Sequence, residues 1–168
     1  MRPVDWGSLW YLACHDPSWR FSCSNTTWLN ACSLVLFAGL SLVVWRVALQ
    51  RASSLPLWAS SFPLLIVFLL SNKVYSPQYS LWLIPWFALT QPRLGLFAAF
   101  SLADLVVFVA EAFWVQSRLQ AEPFPIAIFE LAVVVRAAVA VSCVVAYFRG
   151  DLRQLRLDRV RPVGTLGG

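Results

Sequence analysis

Long apolar runs constrain this chain more than any other feature of its sequence. Residues 29–49, 93–117 and 126–148 are three such runs, and each has the roughly 20 residues that an α-helix needs to cross a bilayer. Because hydrocarbon offers no hydrogen-bond partners, the backbone of such a run must satisfy its own polar groups as a helix. The sequence therefore predicts an all-α, polytopic transmembrane helical bundle.

Composition agrees with a membrane protein and argues against a nucleic-acid-binding one. Hydrophobic residues form 60% of the 168-residue chain and charged residues form 12%, whereas soluble domains average about 25% charged. Five of the thirteen basic residues lie after position 148, and no basic face is interleaved with base-stacking aromatics. We therefore expect the lipid bilayer as a partner and no nucleic acid.

Two shorter apolar runs, 57–71 and 79–90, enclose a polar stretch that contains Pro77. Neither run has the length of a perpendicular membrane span. Proline removes a backbone donor and biases the preceding residue away from the helical region. We therefore predict a broken hairpin at residues 72–78, recessed below the membrane surface, and about five membrane segments in total.

The distribution of basic residues predicts the orientation in the plasma membrane. The tail, residues 149–168, carries five arginines, and the positive-inside rule places it in the cytoplasm. Threading five segments back from the tail puts eight basic residues on the cytoplasmic side and four outside. The expected regions are an extracytoplasmic aromatic-rich segment at 1–28, a transmembrane bundle at 29–148 and the cytoplasmic basic tail at 149–168.

Cysteine positions leave one question of oxidation state open. Cys14 and Cys23 both fall on the predicted extracytoplasmic side, where the environment can be oxidising. A disulfide between them and two free thiols are both compatible with the sequence. Cys143 lies inside the last apolar run, where we expect it to act as a small apolar filler.

The polar stretch around Pro77 is the first candidate for a binding site. It contains Lys73, which is the only lysine in the chain. An ammonium group that faces a cavity of low dielectric constant suits a phosphate or pyrophosphate, and hydroxyl and amide groups can hold phosphate oxygens or sugar hydroxyls. The competing interpretation is an interfacial lysine that reaches the lipid headgroups. The candidate ligand-binding residues are Asn72, Lys73, Tyr75, Ser76, Gln78 and Tyr79.

Two tryptophans follow this stretch four positions apart. Trp82 and Trp86 would share a helical face with Tyr79. An aromatic belt or lipid-facing anchor is the preferred interpretation, and a stacking platform for a sugar ring or an isoprenoid tail is the alternative.

Charged side chains inside the last two apolar runs indicate a buried ion pair. Charges at such depth are costly in hydrocarbon and are usually paired or functional. At 1.5 Å per residue, Asp104 lies about 16 Å from Arg93, and Arg136 lies about 15 Å from Ile126. Both are near mid-membrane, so we predict an Asp104–Arg136 ion pair. The intramembrane charged residues, which we interpret mainly as structural, are Asp104, Glu111, Glu130 and Arg136.

Glu111 and Glu130 fall nearer the level of Lys73 than of the predicted ion pair. Contact with Lys73, a shared proton and a metal site are the functional alternatives, and structural pairing is preferred. The single histidine, His15, excludes a multi-histidine metal site. We therefore expect no metal.

Two segments of the chain resemble a known enzyme family. Residues 72–85 read Asn-Lys-Val-Tyr-Ser-Pro-Gln-Tyr-x-Leu-Trp-Leu-x-Pro, which resembles a motif in the C-terminal half of GT-C class integral-membrane glycosyltransferases of the bacterial family 87 type. That family includes polyprenyl-phosphate-mannose-dependent mannosyltransferases. Residues 2–11, Arg-Pro-Val-Asp-Trp-Gly-Ser-Leu-Trp-Tyr, resemble a luminal segment of the same proteins.

The resemblance implies transfer of a sugar, mannose or a related one, from a polyprenyl-phosphate donor to a lipid or glycan acceptor outside the membrane. It implies no cofactor besides the donor substrate. Lys73, Tyr75, Gln78 and Tyr79 would line the cavity for the donor phosphate and sugar.

Family members are much longer than this chain, and their catalytic aspartate lies in a first extracytoplasmic loop that nothing here matches. Asp5 belongs to a different segment, so the catalytic residues stay unassigned. We expect a C-terminal part of such an enzyme, inactive by itself. The alternatives are a non-catalytic membrane subunit or lipid carrier that binds an anionic lipid at the same break, and a transporter, which the lack of an inverted repeat disfavours.

Overall fold

The part of the chain that the computed structural model describes is built from helices. It comprises residues 4–15, 25–50, 57–90, 94–120 and 124–149. In chain order the elements are α1 (Leu9–His15), α2 (Thr26–Gln50), a 3-10 turn (Leu57–Ser60), α3 (Ser61–Ser71), α4 (Pro77–Ser80), α5 (Leu83–Thr90), α6 (Leu94–Gln120) and α7 (Ile126–Arg149).

Within the described ranges, three helices are long and apolar enough to cross a membrane. They are Thr26–Gln50, Leu94–Arg118 and Ile126–Arg149, at the places predicted for full-length spans. The shorter apolar stretch Trp58–Ser71 is below that length. The structure thus has an all-α fold with three candidate membrane spans.

The helix ends follow from local sequence chemistry. Asn25 caps α2, because its side-chain oxygen accepts the backbone N–H groups of Thr27 at 3.1 Å and Trp28 at 3.3 Å. Pro63 and Pro85 are each the third residue of their helices, α3 and α5. In the first turn of a helix the backbone N–H has no partner within the helix, so proline removes no hydrogen bond there.

The chain is interrupted between α3 and α4, as Pro77 predicted. Helix α3 ends at Ser71, and Pro77 occupies the first turn of α4. Asn72 and Ser76 have extended backbone, with φ/ψ of −76°/138° and −95°/142°. The interruption therefore covers residues 72–76, which we call the break, and it is two residues shorter than the predicted 72–78.

Consecutive long elements pack antiparallel. Near the start of α2, the Ser33 hydroxyl donates to the Ser71 carbonyl at the end of α3 at 2.5 Å. Further along α2, the Phe37 and Phe68 ring centroids are 5.8 Å apart. Helices α6 and α7 pair extensively in the same antiparallel sense. The end of the bundle that contains Ser71 and the break is called the break end below.

Two apolar clusters form the interior. The first extends from the break into the half of the bundle remote from it and contains Ala59, Phe62, Ile66, Leu69, Tyr75, Leu83, Phe87, Phe100, Ala140, Cys143 and Tyr147. The second lies toward the break end, between the N-terminal segment and the α6–α7 pair, and contains Tyr11, Val107, Ala110, Phe129, Ala132 and Val133.

The structure bears on the cysteine expectations and on part of the predicted terminal regions. Cys143 is a free, buried thiol within the first cluster, as predicted for an apolar filler. Cys14 is disulfide-bonded, and Cys23 lies outside the described residues. Residues 4–15, which belong to the predicted segment 1–28, pack into the second cluster. Most of the predicted tail, 149–168, lies outside the described residues.

Candidate functional site at the helix break

The N-terminal segment pairs with the break through its backbone. Asp5 donates its N–H to the Lys73 carbonyl at 3.0 Å, and the Asp5 carboxylate accepts the Tyr75 N–H at 3.1 Å. The Trp10 indole N–H donates to the Ser71 carbonyl at 2.8 Å. Non-helical backbone at membrane depth needs such partners, because lipid provides none. Residues 4–15 therefore supply what the interrupted helix lacks.

Arg136 on α7 is the centre of the charged network at this end. Its side chain is only about 5% exposed, and it forms a 3.3 Å salt bridge with Asp104 on α6. It also donates a hydrogen bond to the Gly7 carbonyl. The guanidinium carbon lies 3.6 Å from the centroid of the Tyr75 ring, a cation–π contact at short range. The predicted Asp104–Arg136 pair is confirmed, and it extends to two residues that the prediction did not include.

Close approach between the N-terminal segment and the break explains the glycine at position 7. A Cβ at Gly7 would lie 3.3 Å from the Tyr75 carbonyl oxygen and 3.7 Å from the Arg136 guanidinium. The first distance is tighter than ordinary van der Waals contact, so a larger residue would push the N-terminal segment away from the break.

Asp5 and Tyr75 are ionisable groups in a partly desolvated environment. Burial raises the pKa of Asp5 above its ordinary value, and the Tyr75 N–H and the Arg136 charge counteract that shift only in part. Burial likewise raises the pKa of Tyr75, whose hydroxyl is 3.1 Å from that of Ser80. Glu111 interacts electrostatically with both Asp5 and Arg136. The carboxylates of Asp5, Asp104 and Glu111 thus surround one guanidinium, that of Arg136, at this end of the bundle.

An aromatic cluster fixes the N-terminal segment to α6 and α7. The Trp6 and Trp114 ring centroids are 4.4 Å apart in an edge-to-face arrangement. Trp114 stacks on Phe129 with their ring centroids 5.9 Å apart. The centroid of the Tyr11 ring lies 6.3 Å from the centroids of both rings. Edge-to-face and offset-stacked pairs of this kind add to the stability from burial. They hold Asp5 and Gly7 in position beside the break.

One cavity lies on the α2 side of the break. It has a volume of about 180 Å³ and is polar near the break and apolar toward the middle of the bundle. Because α2 and α3 are antiparallel, Ser33 and Lys73 lie at its polar end and Phe37 and Phe68 lie below them. We call it the Lys73 cavity, and its lining residues are Asn30, Ser33, Leu34, Phe37, Phe68, Ser71, Asn72 and Lys73.

A larger cavity lies on the other side, between α4, α5 and α6. Its volume is about 370 Å³, and its walls are mainly apolar and aromatic. Asp104 is the charged side chain that lines it. We call it the Asp104 cavity, and its lining residues are Gln78, Ser80, Leu81, Ile84, Phe87, Phe97, Phe100, Ser101, Asp104, Leu105 and Phe108.

The structure divides the predicted ligand-binding set instead of assembling it. Asn72 and Lys73 line the Lys73 cavity, whereas Gln78 lines the Asp104 cavity. Tyr75 is 4% exposed and covered by Arg136, so it lines neither of these two cavities. Local backbone explains the division, since α4 turns the chain between positions 76 and 81.

Two other members of the set have local roles. The Ser76 carbonyl accepts the Tyr79 N–H at 2.8 Å and closes the first turn of α4. The Tyr79 ring packs against Trp82 at 4.9 Å. The helical face expected for Tyr79, Trp82 and Trp86 is not continuous, because α4 ends at Ser80 and α5 begins at Leu83. Trp86 instead packs near Trp58, with ring centroids 6.5 Å apart.

The remaining intramembrane charges do not form a metal site. Among the described residues, no group of three or more His, Cys, Asp or Glu side chains is placed to hold a metal ion. Glu111 interacts electrostatically with Asp5 and Arg136, and Glu130 interacts electrostatically with Tyr11. Both carboxylates therefore act on residues of the N-terminal segment.

Sequence reasoning missed Asp5, Gly7 and Trp10. Their contacts with Ser71, Tyr75 and Arg136 connect residues between 61 and 129 positions apart, and no local periodicity encodes such distances. One available signal was the density of aromatic residues beside a lone aspartate in a chain of low charge, which favours packing against the bundle over exposure to water.

Comparison with known proteins identifies no relative of this chain. The chain matches no protein-family model, no curated protein and no solved structure.

Proposed function

We propose that this chain is the cavity-forming portion of a membrane glycosyltransferase that uses a polyprenyl-phosphate-linked sugar, and that the Lys73 cavity receives the phosphorylated head of that donor. The observation that carries the proposal is the polarity gradient of this cavity. An ammonium group, amides and hydroxyls lie at the break end, and apolar side chains lie directly beneath them.

The gradient suits an amphiphile with an anionic head. Asn30 and Phe37 are seven residues apart on α2, so the lining changes from polar to aromatic within about 10 Å along the helix. A phosphate would meet Lys73 and the amide groups of Asn30 and Asn72, while the first isoprene units would contact Phe37 and Phe68.

The size of the cavity limits what it encloses. At about 180 Å³ it is smaller than the roughly 300–1,000 Å³ of sites that enclose a whole drug-sized ligand. We therefore place only the head and the first isoprene units inside it. The rest of the tail would lie along α2, whose large side chains Leu34, Val35 and Leu42 are more than 60% exposed.

The proposal includes a topology of about five membrane segments. Helices α3 and α5 are each shorter than a membrane span. The ring centroids of Phe62, at the start of α3, and Phe87, near the end of α5, are 5.1 Å apart. We propose that they form a broken pair whose turn is the break. By the positive-inside rule the break then faces the extracytoplasmic side of the plasma membrane, where a sugar would be transferred to a lipid or glycan acceptor.

Donor binding tests the proposal directly. The chain would be reconstituted in lipid nanodiscs, and the dissociation constant for polyprenyl-phosphate mannose would be measured by native mass spectrometry. Lys73→Ala should weaken binding at least about tenfold, which corresponds to the loss of about 1.4 kcal/mol from one charge-assisted contact. The matched control is Arg118→Ala, which removes an exposed cation that packs over Trp114 away from the Lys73 cavity.

Equal donor affinity of Lys73→Ala and the unchanged protein would overturn the donor site. A sugar-transfer assay in which cell membranes supply the remainder of the enzyme and the acceptor lipids would test catalysis separately from binding.

A non-catalytic lipid-binding subunit is the second candidate, and one observation favours it. The carboxylates of Asp5 and Asp104 are already engaged with the Tyr75 N–H and with Arg136, so neither is an unengaged base beside the Lys73 cavity. Tight donor binding without transfer, also in the presence of cell membranes, would support this candidate over the enzyme.

A further inference from the structure

Lys73 lines its cavity because the chain leaves the helix just before it. Phe68, Ser71 and Asn72 line the Lys73 cavity from α3, and their spacing of three and four residues places them on one helical face. In a continuous helix Lys73 would lie about 140° around the axis from Phe68, whose ring packs against Phe37 of α2. A continuous helix would therefore carry Lys73 away from α2 and from the cavity.

The break separates two backbone groups that a continuous helix would join. The Ser71 carbonyl and the Tyr75 N–H are four residues apart, which is the spacing of a helical hydrogen bond. Here the Ser71 carbonyl accepts from the Trp10 indole and the Ser33 hydroxyl, and the Tyr75 N–H donates to the Asp5 carboxylate. Lipid offers such groups no hydrogen bond, so without these partners the helix would regain one by rewinding through Lys73.

Asp5 holds the backbone on both sides of the Lys73 side chain. Its N–H donates to the Lys73 carbonyl at 3.0 Å, and its carboxylate accepts the Tyr75 N–H at 3.1 Å. The Lys73 carbonyl lies four residues before Pro77, which has no N–H to donate to it even in a helix. One residue thus satisfies both the carbonyl that the proline leaves unpaired and the N–H that the break leaves unpaired.

Asp5 is itself fixed by contacts outside the break. Its carbonyl accepts the hydroxyl of buried Ser8 at 2.7 Å. The next residue, Trp6, packs on Trp114 of α6, and Gly7 accepts a hydrogen bond from Arg136 of α7. The two long helices therefore determine where Asp5 meets the break.

We propose that Asp5 is the positioning residue of the Lys73 cavity, and that it directs the Lys73 ammonium group toward α2 by holding residues 73–75 extended. The placement of Lys73 stands by itself, whereas its consequence for donor binding rests on the proposed function. Docking of the N-terminal segment then determines whether the cavity presents its cation to an anionic head.

Cross-linking tests the placement of Lys73 without any ligand. Because Lys73 is the only lysine in the chain, a short amine-to-thiol cross-linker can join it to Leu34→Cys on the α2 wall of the cavity. The background carries Cys32→Ser and Cys143→Ser, and peptide mass spectrometry measures the yield in lipid nanodiscs. Asp5→Ala should reduce the yield severalfold, whereas Asp5→Asn keeps an oxygen for the Tyr75 N–H and should retain most of it.

Donor binding tests the consequence for the site, with the dissociation constant for polyprenyl-phosphate mannose measured as for Lys73→Ala. Asp5→Ala should weaken binding severalfold, but by less than the roughly tenfold loss expected for Lys73→Ala. Part of the extended backbone remains, because the Asn72 side chain accepts the Val74 N–H at 3.1 Å. In the Lys73→Ala background, Asp5→Ala should weaken binding no further, whereas a residue that only stabilised the fold would cause the same loss in both backgrounds.

The matched control is Glu130→Ala. It removes a carboxylate that acts on Tyr11 of the same N-terminal segment and that lines neither of the two cavities. Both the cross-linking yield and the dissociation constant should stay unchanged.

An undiminished cross-linking yield in Asp5→Ala would overturn the proposal, as would a further loss of donor affinity when Asp5→Ala is added to Lys73→Ala. Full donor affinity of Lys73→Ala, together with a cross-link that depends on Asp5, would overturn the donor site and support the placement of Lys73 by Asp5. The two failures therefore give different results.

Discussion

The two halves of the bundle differ in their polar contacts, although aromatic rings pack in both. At the break end, Asp5, Gly7, Tyr75, Asp104 and Arg136 are joined by hydrogen bonds, a salt bridge and a cation–π contact. In the half remote from the break, aromatic rings pack on one another, with the Phe87 ring 5.1 to 5.8 Å from those of its neighbours.

The difference reflects which contacts between helices are energetically favourable inside a bilayer. Lipid tails are as apolar as leucine, so apolar helices gain little from leaving lipid and associate through close packing. A polar network gains more from a specific partner, because an unpaired polar group in hydrocarbon is costly. We infer that the remote half provides packing and that the break end determines which segments meet.

The largest effect is expected when the charged network loses its central residue. Arg136→Leu removes the partner of Asp104 and the donor to Gly7, and leaves a carboxylate uncompensated in the interior. The free energy of unfolding should fall by about 3–5 kcal/mol, measured by denaturant titration in mixed micelles. The double variant Asp104→Leu/Arg136→Leu should recover much of that loss. A single variant as stable as the unchanged protein would remove the distinction between the two halves.

A smaller loss is expected from the aromatic half. Phe62 is fully buried, with ring contacts to Phe87 at 5.1 Å and Tyr147 at 5.8 Å. Phe62→Ala should lower the free energy of unfolding by about 2–3 kcal/mol, below the usual range for soluble proteins because lipid compensates for part of the lost apolar contact. The same titration applies, with exposed Leu102→Ala as the control. A loss larger than that of Arg136→Leu would reverse the ranking of the two halves.

Removal of the Asp5 carboxylate should affect the break locally. Asp5→Ala leaves the Tyr75 N–H without its acceptor and should cost about 1–2 kcal/mol. Asp5→Asn keeps a side-chain oxygen and should cost less. Hydrogen exchange followed by mass spectrometry should show faster exchange in the peptide that contains Tyr75, and unchanged exchange in α6. Unchanged exchange at Tyr75 would mean that the N-terminal segment does not hold the break.

The pH dependence of stability should carry a small signal from the same residue. Burial raises the pKa of Asp5 above its ordinary 3.8 in the folded protein, so the folded state binds this proton more tightly than the unfolded state does. The Asp5 contribution to the free energy of unfolding should therefore increase as the pH falls from about 7 through the raised pKa, and level off below the unfolded value. Asp5→Asn should lack this increase. An identical pH profile for both proteins would contradict the assignment.

Much of the fold follows from local rules that the sequence displays. Apolar length predicts the three long helices, and Pro77 predicts where the helix is interrupted. The Asp104–Arg136 pair followed from counting the helical rise along two neighbouring helices joined by a short loop. In each case the distance along the chain determines the distance in space.

The candidate site was only partly predictable, for the opposite reason. Lys73 was identified from its polar surroundings, yet the short helix α4 turns Gln78 into a different cavity from Lys73. The return of Asp5 to the break depends on tertiary packing across 70 positions. Neither a helical period nor a proline rule contains that information.

The contact between Gly7 and Arg136 has a consequence for biosynthesis. These residues are 129 positions apart, so the carbonyl is made well before the arginine, which emerges from the ribosome only with α7. Until then, Asp104 enters the bilayer without its counter-charge, and insertion of an arginine at a helix centre is itself unfavourable by about 2.5–3.5 kcal/mol. Helix α7 must therefore enter the membrane beside α6, and its arrival gives Gly7, Tyr75 and Asp104 their common partner in a single step of assembly.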